Sequence, residues 1–410
     1  MTHPANPAGP TWRFLLGVCL AGLLWAGNGR AAESLAQVFQ EGTPVLDLRY
    51  RYEQVDQDGF SSQAQASTLR LRLGYRTGSW HDFHAAADLE HIRAIGADRF
   101  NSTANGRTRF PVVADPEGTE INQAFLAYTG LERSEVRLGR QRIALGNQRF
   151  IGNVGWRQNE QTYDAFSIRT RPTEDLSLFY AHMENVNRIF GEDNPNRALA
   201  DLNVNADIAQ AVMAFAPGRL TVYAHFLELE DVPLNSHRNL GLRFSGQHAV
   251  ADRTDVLYAV EYADQSDYKR GARKIDASYQ LLMVGLKYDA LTFQLGYEHL
   301  GGDGTYGFST PLATLHAWNG WADVFLTTPL AGLEDTSFSA AGKFAGIHLK
   351  GVYHQFDADK GNADYGHEID LMASVHFLES YDVSLHYARY EADTFFVDID
   401  KFWLTLRAHF

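Results

Sequence analysis

The chain holds a single cysteine among 410 residues, Cys19, and it lies inside an apolar run near the N-terminus. A disulfide scaffold and a cysteine-ligated metal centre are therefore both out of reach. Only 12 prolines occur, and past residue 43 there is neither a long uninterrupted apolar run nor a long amphipathic helical pattern. That excludes a bundle of transmembrane helices. Basic residues are outnumbered, 36 Lys+Arg against 50 Asp+Glu for a formal charge of −14, so no clustered basic surface for nucleic acid is expected. What the chain does have is 45% hydrophobic residues, 12% aromatics and 35 glycines, too apolar a composition for disorder.

Arg13 precedes the apolar run Phe14 to Gly27, and small residues follow at Gly29, Ala31 and Ala32. A basic start, an apolar stretch too short for a stable span and a small-residue cleavage site predict a signal peptide over 1–31. Cys19 sits within the apolar run behind the bulky Val18, a poor lipidation site. Removing the signal takes away Cys19, Arg13 and Arg30, which moves the formal charge from −14 to −16. A large secreted chain without thiols fits a Gram-negative cell envelope.

The rest of the chain, 32–410, repeats one period. Leu46, Leu48, Tyr50 and Tyr52 alternate with Asp47, Arg49, Arg51 and Glu53; Leu69, Leu71, Leu73 and Tyr75 alternate with Thr68, Arg70, Arg72 and Gly74. The same pattern returns over 291–298 and 368–377. Such alternation marks strands with two unlike faces. The segments are long enough to cross hydrocarbon when tilted, and Tyr and Phe gather near their ends. Connections alternate in length: tight near 77–81, 130–133, 172–173, 217, 249–252, 289, 344 and 379–380, longer between them, with 93–118 and 301–333 the longest. Short periplasmic turns and long outer loops give this rhythm. The fold class predicted is all-β, a transmembrane antiparallel β-barrel of about eighteen strands, closing with a strand that ends on Phe410. An even strand count leaves no open edge in lipid, and a barrel of this size encloses an aqueous lumen.

With the apolar parity facing lipid, the expected pore-lining cations are Arg49, Arg51, Arg70, Arg72, Arg137, Arg169, Arg243, Lys350 and Arg407. Closure makes the last strand a neighbour of the first, so Arg407, Arg49, Arg51, Arg70 and Arg72 form a basic stripe. Guanidinium forks suit carboxylates and phosphates, and such a stripe would concentrate anions. Equally, these arginines would pair with Asp47, Glu53, Asp88 and Glu90 to hold the wall together. Glu261, Glu298, Glu368 and Asp370 place acids farther round, so a basic wall would face an acidic one. Arg140 shares parity with Val136 and Leu138; a charge facing mid-bilayer costs ~2–4 kcal/mol, so either the strand bulges or Arg140 lies beyond the apolar band. Arg142, Arg149 and Arg157 follow as a second basic cluster, whose ordinary reading is a solvated loop face. The loops 93–118 and 301–333 are candidate lids or constrictions. In the second, His316, Trp318, Trp321 and Asp323 sit in an apolar segment suited to the barrel mouth; the tryptophans either pack the loop or stack on sugar rings.

Three stretches carry a resemblance. They are Asp115 to Phe125 (DPEGTEINQAF); Leu138 to Arg142 (LGRQR), running on through Gly146, Arg149, Gly152, Trp156-Arg157 and Thr162-Tyr163-Asp164; and Thr310 to Asp323 (TPLATLHAWNGWAD), continuing through Phe325 and Thr327-Thr328-Pro329 to Gly332-Leu333. Together they resemble the alginate-export family of outer-membrane porins. The resemblance implies an eighteen-stranded barrel and diffusive passage of a solute, with the alginate exporter as the best-known member.

The expected function is a porin for passive diffusion or export of an anionic or polyhydroxylated solute, alginate or a related exopolysaccharide being the polymer the resemblance implies. Competing expectations are a general small-solute porin, a barrel-embedded hydrolase and, least favoured, a soluble β-protein. Expected partners are outer-membrane lipid and lipopolysaccharide, the barrel-assembly machinery through the strand ending in Phe410, and periplasmic export proteins. No cofactor, catalytic residue, metal site or nucleic-acid partner is expected. Gly302 to Gly307 matches G-x-G-x-x-G, but no helix is predicted after it, so it reads as a loop.

Overall fold

The computed structural model describes residues 35–410; the expected signal peptide, 1–31, lies outside the described residues. A short helix α1 (Leu35–Gln40) leads into eighteen strands. They are β1 (Thr43–Gln57), β2 (Ala64–Arg76), β3 (Phe83–Arg99), β4 (Gly118–Tyr128), β5 (Ser134–Gln141), β6 (Thr162–Thr170), β7 (Leu176–Asn187), β8 (Asp201–Phe215) and β9 (Gly218–Leu229). The second half comprises β10 (His237–Ala251), β11 (Thr254–Asp267), β12 (Asp276–Tyr288), β13 (Leu291–Leu300), β14 (Leu333–Phe344), β15 (Ile347–Asp357), β16 (Asp364–Phe377), β17 (Tyr381–Ala392) and β18 (Ile399–His409). A helical turn α2 (Arg197–Ala200) precedes β8.

Each strand pairs antiparallel with its sequence neighbours, and β18 pairs with β1, so the sheet closes on itself. The seam runs from Asp47 opposite His409 to Gln57 opposite Ile399, and the Phe410 and Leu46 main chains exchange hydrogen bonds of 2.8 and 3.0 Å. Closure leaves neither terminal strand with an open edge toward lipid, which could not supply hydrogen-bond partners. Tight turns join the strands at the end that holds both termini; the long connections stand at the other end, the extracellular one in a barrel of this kind. β3 runs to Arg99, pairing with Gln65, so the loop after it is 100–117 and shorter than the expected 93–118.

Parity sets the faces as the alternation requires. Leu291, Phe293 and Leu295 are exposed on the lipid side of β13, while Glu298 is buried inside; Ile369 and Leu371 face out from β16, and Glu368 and Asp370 face in. Nearer the extracellular rim the rule inverts. On β8, Leu202, Val204, Ala206 and Ile208 are buried inside and Asn203, Asn205 and Asp207 face out. The wall here has apolar loop residues within, so its inner face is apolar. The same fact corrects the expectation of an open aqueous lumen. An apolar cluster including Leu145, Phe150, Ile151, Tyr223, Tyr279, Phe308 and Leu312 fills the loop end of the barrel.

Arginine at Leu295, which is 55% exposed on the lipid face, should cost ~2–4 kcal/mol of folding free energy at mid-bilayer depth. Urea titration of the barrel folded into lipid vesicles should show that loss for L295R and little change for Q294R, whose side chain points into the lumen.

Candidate functional site: a loop partition across the lumen

The site is built by two loops that turn inward, 142–161 after β5 and 301–332 after β13. The first reverses sharply through Gly146 and Gln148, both at positive φ, and drives Phe150 between Tyr223, Tyr279 and Phe308, with ring centroids 5.1, 5.5 and 6.0 Å away. Burying each such ring stabilises the inward fold by about 1.5–3 kcal/mol. The two loops are laced together by main-chain bonds: Gly152 N–H donates to Leu312 at 2.8 Å and Thr314 N–H to Gln148 at 3.0 Å. Of the two candidate lids, the one expected over 301–333 turns inward over 301–332, up to the start of β14 at Leu333. The larger share of the partition comes from 142–161, read from sequence only as an outer loop.

The basic stripe exists, but the loop covers it. Arg49 donates Nε to Gln158 Oε1 at 2.9 Å and Nη1 to the Gly155 carbonyl at 2.8 Å, and also reaches the Arg157 carbonyl. Arg70 bonds Asp47 at 2.5 Å and the Gln158 carbonyl at 3.3 Å, and Arg407 reaches the same Asp47 at 2.7 Å. Arg72 pairs with Glu90 at 2.9 Å and with Glu160 of the loop at 3.2 Å. Arg51 lies 3.9 Å from Asp115 and stacks over the Trp156 ring at 4.3 Å. Arg70, Arg72 and Arg407 thus meet the wall acids Asp47 and Glu90, while Arg49 and Arg51 are engaged by loop residues instead.

Around the barrel the signs are exchanged. Arg149 crosses to the acidic wall, where its Nε donates to Glu298 at 2.7 Å and its other nitrogens to Thr310 and Asn319 at 3.2 Å each. It packs 5.4 Å from both Tyr279 and Trp318. The tip 319–322 lies on the remaining acids: Asn319 Nδ2 donates to Glu298 at 2.5 Å and Asp335 at 3.1 Å, and Ala322 N–H to Glu368 at 2.6 Å. Trp321 N–H points to Asp370 at 3.4 Å. Gly320, at φ +86°, permits this approach, since a Cβ there would strike the Glu368 carboxylate. Arg149 and Arg157 are both buried, which corrects the reading of their cluster as a solvated loop face. Only Arg142, held by Glu160 at 2.9 Å, keeps a third of its side chain open.

Asp323 ties the two halves. It accepts from Lys401 Nζ at 2.9 Å and Arg157 Nη2 at 3.1 Å, and its other oxygen meets His316 Nδ1 at 2.8 Å. Arg157 also donates to Glu53 at 2.9 Å. His316 stacks on Trp156 with centroids 4.1 Å apart and planes 12° from parallel. Burial by itself would raise the Asp323 pKa, but the Lys401 and Arg157 cations and the hydrogen bond from His316 outweigh it and hold the carboxylate far below its usual range. Burial likewise opposes ionisation of Glu160, yet Arg72 and Arg142 bring its pKa to about 2. Burial lowers the His316 pKa more than Asp323 raises it, so the ring is neutral at pH 7.

Segment 316–323 divides the lumen. Above it, His316, Ala322 and Asp323 floor a cavity of about 310 Å³ open to the loops; below it, Ala317 to Trp321 roof one of about 220 Å³. Arg243 and Lys350 line the lower cavity, Arg243 pairing with Glu261 at 2.7 Å. Lys350 makes no ion pair among the described residues; its ammonium stands 5.6 Å from the Trp321 ring. The tryptophans thus serve both packing and lining. Nearer the periplasmic end, Arg137 pairs with Glu135 at 2.9 Å and Arg169 lies over Phe179 at 4.8 Å, both away from the partition. Arg140 remains on the outer face in a ladder of unbroken register, one residue from the end of β5, and is neutralised by Asp164 at 2.8 Å. No bulge of β5 is involved. Gly302 and Gly307 bridge each other in a plain loop.

Lys401, Glu160, Asp115 and Gln158 were not singled out from sequence. Lys401 was accessible, because it shares the parity of Arg407 on the last strand. The other three lie in loops, where no period signals which way a side chain turns.

Glu160 holds its charge to about pH 2 against an ordinary 4.5, so its stabilising contribution is complete above pH 4.5 and is lost as the pH falls toward 2. Asp323 behaves in the same sense below about 3.8. Channel conductance in planar bilayers should therefore stay level from pH 8 to 5 and become larger and noisier below 4. D323N strands buried Lys401 and leaves Arg157 to Glu53 alone, and at pH 7 it should lower unfolding free energy by about 3–5 kcal/mol and already show the noisy, enlarged conductance.

Solved structures with this architecture include OpdK of Pseudomonas aeruginosa with vanillate, at TM-score 0.72 and 15% identity, covering 91% of this chain and 99% of that one. OccAB3 of Acinetobacter baumannii gives a TM-score of 0.71 at 13% identity, with 91% and 100% covered. A further structure of OpdK, described as an outer membrane protein, gives 0.69 at 17%, with 91% and 99% covered. At such identities these likenesses establish the fold. A comparison with curated protein sequences finds no match. Residues 44–302, from the first strand through β13, match the Alginate export family. The chain is an eighteen-stranded outer-membrane porin barrel, and it belongs to the alginate export family.

Proposed function

We propose that this barrel is a passive channel for small anionic solutes. The observation that carries the reading is the segment 316–323, which stands across the lumen with cavities of about 310 and 220 Å³ on its two sides. A volume of this order suits one small molecule at a time. Sign selection falls to cations not already matched by an acid. The stripe of Arg49, Arg70, Arg72 and Arg407 is engaged in wall and loop bonds. Lys350, facing the lower cavity without an ion pair among the described residues, is the stronger candidate for drawing anions onward. The buried Asp323, Arg157 and Lys401 knot argues against a polymer threading the resting pore, since opening a path would break several buried charge contacts.

Export of alginate or a related exopolysaccharide is the second reading, favoured by the family and requiring the loops to swing out. Insertion from the lipid side would follow the usual route through the closing strand that ends at Phe410, in contact with lipopolysaccharide outside.

In planar bilayers under a potassium chloride gradient the reversal potential should report anion preference, and K350Q should move it toward zero. Small carboxylates should carry current, while uronate oligomers should neither block nor pass. Polyuronate blockade of the unmodified channel would decide for the exporter, and equal passage of neutral sugars for a general porin.

A further inference from the structure

The cavity above the partition has walls unlike those of a water-filled porin mouth. Phe60, Val112, Leu326 and Phe396 line it and are 37, 46, 45 and 55% exposed, each from a different long loop. Phe190 joins them from a fifth, the loop after β7. Large apolar side chains left open on converging loops form a patch that water covers at a cost. The charged groups on the floor are already matched. Arg157 and Lys401 answer Asp323, and Arg157 also answers Glu53, two cations against two acids, with His316 neutral.

One charge in the wall is left over. Arg188, the first residue after β7, lines the same cavity. Its Nη1 donates to the Ala198 carbonyl at 3.1 Å, and its guanidinium lies 5.4 Å from the Phe190 ring. Among the described residues no carboxylate comes within ion-pair distance of it. Burial pushes its pKa below the ordinary value, and Tyr163 is the only group that opposes the shift. A partly dehydrated cation without a counter-ion is costly, and a bound anion removes the cost.

We infer that this vestibule is a binding site for a small monocarboxylate with an apolar body, an aromatic or medium-chain acid, anchored through its carboxylate on Arg188. One surplus cation matches one negative charge; a phosphate monoester would bring nearly two. The apolar walls reward a ring or alkyl chain and penalise a polyhydroxylated body, whose hydroxyls would lose water without gaining partners. A volume of about 310 Å³ stands at the small end of ligand pockets, about 300–1,000 Å³. The inference names a solute class for the proposed channel and rests on that reading only for the onward route.

The test is calorimetric titration of the full-length, detergent-purified barrel with benzoate, hexanoate, gluconate and benzyl alcohol. Benzoate and hexanoate should bind at least tenfold more tightly than gluconate or benzyl alcohol. R188Q should weaken benzoate tenfold or more, and R188K should keep it within about threefold. L326Q should weaken hexanoate while leaving the heat-modifiable gel mobility of the folded barrel intact, and that mobility checks R188Q as well. If R188Q fails to fold, R188K and L326Q decide. Benzyl alcohol binding as well as benzoate would overturn the cationic anchor. Gluconate binding as well as hexanoate would overturn the apolar class, and unchanged benzoate affinity in folded R188Q would overturn the residue. An anion-selective reversal potential alongside any of these failures would leave the channel reading standing and remove only the vestibule site.

Discussion

The structure depends on neutralising charge inside a wall too wide to do it alone. Eighteen strands enclose more space than their own side chains fill. An arginine taken out of water needs a partner that returns what solvation supplied. Here the partners come from loops, and the signs are complementary: Glu160 and Asp115 go to the arginine wall, Arg149 to the acidic wall. The arrangement joins strands at opposite sides of the barrel through side chains far apart in sequence. It converts what would have been a transverse field into a set of local contacts. In the proposed channel, selectivity then belongs to the few cations the exchange leaves over.

The strand framework was legible because a two-residue period with one lipid face admits little ambiguity. β1, β2, β13 and β16 all place their residues where the alternation put them, and the tight turns fall where the period breaks. Within the site, Arg49, Arg70 and Arg72 were placed correctly on the lumen face, but their partners were not foreseeable. Arg49 finds Gln158 across 109 residues, and Arg149 finds Glu298 across 149. No local pattern encodes such a pairing. Arg157 was misread for the same reason: a charge in an irregular segment looks solvated until the fold shows what it meets. The apolar inner face of β8 inverted the expected parity because it packs on loop residues and not on lipid.

The family match ends at residue 302, before the segment that divides the lumen. Strands β1 to β13 and the inward loop 142–161 lie within the matched residues, while β14 to β18, the stretch Thr310 to Asp323 with its partition tip, and the vestibule walls at Leu326 and Phe396 lie beyond them. The neighbouring solved barrels share the scaffold at 13–17% identity. A scaffold so tolerant of substitution sets the route across the membrane and leaves the choice of cargo to loop chemistry.

The seam between β1 and β18 carries a consequence for the loops. Asp323 draws one cation, Lys401, from the last strand, and Arg157 beside it draws an acid, Glu53, from the first. The two closing strands thus each supply a charge to the knot that seats the inward loops. Sealing the cylinder therefore also brings together the acid and the cation that seat the loops across its interior.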